Sequence, residues 1–129
     1  LLVCLVFSFV AMAQNPVINF EVKTHEFGKI NEKDGPVTYV FEFVNKGDAP
    51  LVVSRVQASC GCTTPTWTKE PVEAGKKGIV TVTYNPAGRP GMFTKTITIY
   101  SNDTKEQAVL IIKGEVVPTP KPAENSAKK

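Results

Sequence analysis

Two cysteines set two apart around a glycine, Cys60-Gly61-Cys62, are the residues of this 129-residue sequence best suited to chemistry. In extended backbone, residues i and i+2 point the same way and lie roughly 6.6 Å apart, at about 3.3 Å per residue. A disulfide needs Cα atoms roughly 4.4–6.8 Å apart, so the pair can bridge if Gly61 lets the backbone bend. Such a bridge encloses almost no chain. It constrains the unfolded state little, and it is easier to reduce than an ordinary structural disulfide. Kept reduced, the two thiolates suit a soft metal, copper or zinc, with His25, the one histidine, as a further donor. Two sulfurs and one nitrogen satisfy Cu(I) but fall one ligand short of a closed zinc site. A third use is disulfide exchange with a partner, which requires an exposed thiolate of lowered pKa. The residues leave all three open, with pairing the usual fate of cysteines outside the cytoplasm.

Other candidates each have a plainer reading. His25 stands beside Glu26, where a lone imidazole is more often a surface residue than a ligand. Trp67 follows Pro65 and lies near the cysteines, so it could stack on a ligand or simply plug one end of the fold. Glu70 and Glu73 bracket Pro71, and solvated loop charges are the default for such a pair. No nucleophile motif, phosphate-binding glycine loop or HExxH appears, and one histidine does not make an ordinary Ser-His-Asp arrangement. The expectation is a protein that is not an enzyme.

The start of the chain bears on compartment. Leu1 to Val10 carries no charge, and Ala11-Met12-Ala13 precedes Gln14 in a small-x-small pattern. That is the pattern of a signal peptide over residues 1–13, cleaved before Gln14, and the apolar run is too short for a stable membrane span. No Met or basic stretch precedes Leu1, as expected of a sequence that starts within its precursor. Cys4 is not expected to anchor a lipid, because the apolar run follows it. The protein should therefore be exported, to the periplasm or the exterior. Fifteen basic and twelve acidic side chains give a net charge of +3, and Lys121, Lys128 and Lys129 against Glu124 place two of those charges in the tail. A body so nearly balanced argues against a nucleic-acid surface.

The elements around the cysteines read as strands. Val37 to Asn45 alternates over nine residues, with Val37, Tyr39, Phe41 and Phe43 on one face. Shorter strand patterns occur at Val17–Val22, Glu26–Ile30, Leu51–Val56 and Ile79–Tyr84, and longer ones at Phe93–Tyr100 and Ala108–Val117. Asn45-Lys46-Gly47-Asp48 reads as a turn whose Asn and Gly accept positive φ. The stretch from Cys60 past Pro65, Trp67 and Pro71 reads as a loop. Phe41, Phe43, Val80, Val82, Ile97, Ile99, Leu110 and Ile112 should form the core. Seven to eight short strands spaced by turns predict an all-β, immunoglobulin-like antiparallel β-sandwich over residues 14–117, with a small barrel as the alternative. Residues 118–129, rich in Pro and Lys, should form a disordered tail.

A family resemblance lies in Phe27-Gly28-Lys29-Ile30, Phe41 to Leu51, Ser59-Cys60-Gly61-Cys62-Thr63, Pro71 to Gly75, Tyr84 to Gly91, and Ile99 to Asp103. In that order these pieces resemble domain-of-unknown-function family 1573 (DUF1573), small secreted bacterial proteins, over nearly all of Phe27–Val117. The resemblance implies an immunoglobulin-like fold similar to sandwich domains of cilia- and centrosome-associated proteins, and it implies no activity. The function expected is a binding or structural module whose partner is another extracytoplasmic or envelope protein. The alternative is copper binding or thiol redox chemistry at Cys60 and Cys62.

Overall fold

The computed structural model of the chain describes residues 3–6, 15–105 and 107–120. The expected signal segment, apart from residues 3–6, and the tail beyond Pro120 lie outside the described residues. The strands are β1 Ile18–Phe20, β2 Thr24–Asn31, β3 Val37–Asn45, β4 Val53–Ala58, β5 Thr63–Trp67, β6 Lys77–Tyr84, β7 Gly91–Ser101 and β8 Ala108–Val117. They form two four-stranded sheets, ordered β1-β3-β6-β5 and β2-β8-β7-β4, and these stack as a sandwich. Alternation places the core. Phe41 lies opposite Val80 on the first sheet and Ile97 opposite Leu110 on the second. All eight expected core residues are buried, none more than 1% exposed.

Three local expectations are corrected. The expected loop after Cys62 contains β5, paired antiparallel with β6 from Thr63↔Tyr84 to Trp67↔Val80. Pro65 concealed it, since proline weakens any strand assignment. Here Cys62 O accepts from Asn85 N and Thr68 N donates to Ile79 O, so even-numbered residues face β6 and Pro65 turns its missing N–H to the free edge. Second, β2 runs parallel to β8, with a register shift between Glu26 and Lys29 around Gly28 at φ 70°. The chain leaves the first sheet at Glu21–Lys23 without reversing, so it joins the second sheet in the direction of β8. One pair of strands in the sandwich is thus parallel.

Third, the turn after β3 uses no positive φ. Asn45 is instead fully buried, and its side chain is a hub. Its Oδ1 accepts from Val17 N at 3.2 Å and Gly47 N at 2.9 Å, while Nδ2 donates to Ala49 O at 2.7 Å and Val72 O at 2.9 Å. Gly47 is needed for close approach, because a Cβ there would lie 2.7 Å from Val17 N and 2.8 Å from Pro16 Cα.

Tyr84, 1% exposed, stacks on Phe93 at 4.0 Å. Burial pushes its phenol above the ordinary 10.0, and the Arg89 guanidinium offsets part of that rise. Its contribution to stability should be complete below pH 10 and be lost as pH rises through the raised value. Denaturant midpoints on the alkaline side should therefore fall more steeply for the wild type than for Tyr84→Phe. Parallel curves would show that another group carries the slope.

Candidate functional site

The Cys-Gly-Cys stretch sits where the chain crosses between sheets. Strand β4 ends one edge of the second sheet and β5 ends one edge of the first, so Ser59–Cys62 forms the corner joining them. Both sheets hold this corner. On the β7 side, Ser59 N donates to Thr96 O at 2.9 Å and Thr96 N donates to Ser59 Oγ at 3.1 Å. On the β6 side, Asn85 N donates to Cys62 O at 2.9 Å, and within the turn Thr63 N donates to Cys60 O at 3.1 Å.

The turn brings the cysteine Cα atoms to 5.2 Å, and Cys60 and Cys62 are joined as a disulfide. The two sulfurs have different surroundings. Cys62 is buried, 4% exposed, with its Sγ 3.6 Å from Thr63 Oγ1. Cys60 is half-buried, and its Sγ accepts from Cys62 N at 3.1 Å. Gly61, expected to supply the bend, lies outside the left-handed region, and a Cβ there would meet nothing within 4 Å.

His25 is not brought to this corner. It lies on β2, with β8 and β7 between it and β4, a separation of about 14 Å at some 4.8 Å per strand. Its ring stacks on Tyr39 at 3.7 Å and meets Phe27 edge-on at 4.6 Å, helping to close the gap between the sheets. Among the described residues no three His, Cys, Asp or Glu side chains converge as a metal site. Trp67 packs against the core with Lys69 Nζ 3.2 Å over its ring, and its Nε1 is buried without a hydrogen-bond partner among the described residues. Glu70 and Glu73 are both exposed.

The bridge should matter little to the fold, because it closes almost no chain and the corner is tied independently to β6 and β7. Cys60→Ser/Cys62→Ser should fold normally and lose at most about 1–2 kcal/mol in equilibrium denaturation. A double variant that is unfolded at room temperature would make the bridge indispensable and overturn this.

A second feature was not foreseen. Strand β1 pairs only with Phe43–Asn45, so among the described residues no strand lies beside the first half of β3. Asn45 N donates to Lys76 O and Lys46 N to Val17 O, so even-numbered residues turn their backbone groups away from β6. Thr38 and Val40 accordingly aim N–H and C=O at an open edge. A shallow groove runs there beside Val22, Val40 and Val44, with Glu42 and Lys77 paired at 3.1 Å. Val22, Val40 and Ile79 are 47%, 48% and 43% exposed. The alternation of β3 signalled the outward direction of Val40, whereas alternation from Ile18 and Phe20 grouped Val22 with the core, because the shortness of β1 could not be read from its apolar residues.

The sequence profile of a family described as "Protein of unknown function (DUF1573)" matches residues 18–116. Among solved structures, a protein of unknown function from Porphyromonas gingivalis W83 is similar at 18% identity with a TM-score of 0.70, over 84% of this chain and 51% of that one. The Vibrio cholerae VesB protease matches at 14% identity and a TM-score of 0.63, over 78% of this chain and 32% of its own. The Escherichia coli chaperone DraB matches at 14% identity and a TM-score of 0.54, over 90% and 64%. The chain thus spans about half the length of the Porphyromonas protein. At these identities the likeness is one of fold. No curated protein matches the chain.

Proposed function

Because the chain belongs to the DUF1573 family, which carries no assigned activity, we propose from its own surface that it is a non-enzymatic binding module working outside the cytoplasm. Its partner is another exported or envelope protein, held by the outer face of the β1-β3-β6-β5 sheet. The observation that carries this reading is the exposed apolar set Val22, Val40 and Ile79 beside the unpaired half of β3. Apolar side chains next to free strand hydrogen-bonding groups are what an added polypeptide strand uses. The uncharged run before the small-x-small site at Ala13 supports export.

A photo-crosslinking residue at Val40, in the exporting host, should give one discrete protein adduct. The same residue at exposed Thr94, on the other sheet, should give none. No adduct from either position, or the same adducts from both, would sink the binding reading. Mass spectrometry of the exported protein should find Gln14 at the N-terminus, and a retained Leu1–Ala13 segment would sink the export reading.

The half-exposed Cys60 supports a second reading, thiol chemistry at the corner. A soft metal such as copper would require the bridge to be opened, so metal retained only after reduction would mark that variant of it.

A further inference from the structure

We propose that the Cys60–Cys62 disulfide exchanges with a protein dithiol, and that Cys60 is the sulfur attacked first. The inference rests on the thiol reading of the corner and is independent of the binding face. Three observations lead to it. Exposure is unequal, since Cys62 is 4% exposed while Cys60 is only half-buried, so Cys60 is the member of the pair more open to an incoming thiolate. The corner is also uncrowded at Gly61, where an added Cβ would meet no described atom within 4 Å apart from its own chain neighbours.

The third observation is that hydrogen bonds tie the corner independently of the bridge. Ser59 is tied to Thr96 by two hydrogen bonds, Cys60 O to Thr63 N by a third and Cys62 O to Asn85 N by a fourth. Opening the disulfide leaves these in place, so the two thiols stay close together and ready to close again. A bridge between residues two apart also adds little constraint of its own. An ordinary structural disulfide ties distant segments. This one ties neighbours that the sheets already hold.

The step balances as follows. A substrate thiolate attacks Cys60 Sγ, a bond forms between those sulfurs, and the Cys60–Cys62 bond breaks. Cys62 Sγ leaves with the electron pair, beside the Thr63 hydroxyl 3.6 Å away, which can donate to it. The second substrate thiolate attacks the substrate's own sulfur in the mixed disulfide. Cys60 Sγ then leaves, accepting the hydrogen bond from Cys62 N seen at 3.1 Å. One dithiol is oxidised to a disulfide, the Cys60–Cys62 bridge is reduced to two thiols, and the two substrate protons end on the two cysteines. In reverse, the Cys60 thiolate attacks a substrate disulfide and Cys62 resolves the mixed species.

Glutathione serves as the probe, with the full chain in a Cys4→Ser background and chelator present. Acid-quenched reaction with reduced glutathione at about 10 mM should yield wild-type protein carrying glutathione on Cys60 and not Cys62, located by peptide mapping. Two single variants give a second reading. Cys62→Ser, with Cys60 free, should form a mixed disulfide with oxidised glutathione at least about tenfold faster than Cys60→Ser, whose free Cys62 is buried. A bridge untouched by glutathione would overturn the thiol reading itself. A reducible bridge with the adduct on Cys62, or equal rates for the two variants, would leave thiol chemistry standing but overturn Cys60 as the first point of attack.

Discussion

Asn45→Leu should lower the stability of the domain by roughly 3–5 kcal/mol. The leucine fills similar space but removes four hydrogen bonds from a fully buried site, to Val17 N, Gly47 N, Ala49 O and Val72 O. Each buried group left without a partner costs about 1–3 kcal/mol, and Val72 O keeps its bond from Leu51 N. Asn45→Asp separates the acceptor half of the hub from the donor half. The carboxylate can still accept from Val17 N and Gly47 N, but its other oxygen faces two carbonyls. Protonation turns that oxygen into a donor, so the folded-state pKa of the new carboxyl is raised. Its stabilising form is complete below the unfolded carboxyl value and is lost as pH rises through the folded one. Denaturation of the aspartate variant should therefore show a deficit at neutral pH that narrows on acidification. An unchanged midpoint in Asn45→Leu would mean that the hub contributes nothing.

Phe41→Ala should cost a comparable amount, about 3–5 kcal/mol, the range for a buried aromatic truncated to a cavity. Phe41 is 1% exposed, lies opposite Val80 and meets Tyr39 edge-on at 4.8 Å. Neighbours on both sheets are fully buried, so little can move in to fill the space. Thermal unfolding is the simplest check, with a drop of about 10–20 °C expected for a domain of this size. A variant melting within a degree or two of the wild type would place Phe41 outside the core.

The two sites differ in how far the sequence reveals them. Phe41 was legible because period-two alternation is a local signal, and β3 and β8 begin and end where their patterns do. Asn45 was not, because Asn-Lys-Gly-Asp is a turn signature whatever the side chain does. Its partners Val17 and Val72 are far away in sequence, and only the folded sandwich brings them in. The same distinction explains the strand errors. Pro65 hid β5 because a local rule against proline holds only for strands bonded on both sides. The direction of β2 was invisible because alternation reads the same in parallel and antiparallel pairs. At the corner, the spacing of Cys60 and Cys62 announced a possible bridge, while Thr96 and Asn85, which tie the corner by hydrogen bonds, carry no signal near it.

The parallel pairing of β2 with β8 has a mechanical consequence. These strands come near opposite ends of the sequence yet run side by side through six register pairs, from Thr24↔Ile111 to Asn31↔Val117. Tension applied between residue 15 and residue 118 would drag them lengthwise past each other, loading those contacts together rather than peeling them one at a time. Strand β1, held to β3 by three register pairs, should give way first and β2 afterwards at higher force. Single-molecule stretching from those two points should show two separate rupture events in that order. A single low-force event would mean that β2 peels instead of shearing. If the order holds, the sandwich is built to withstand a pull along its own chain, whatever it is fastened to.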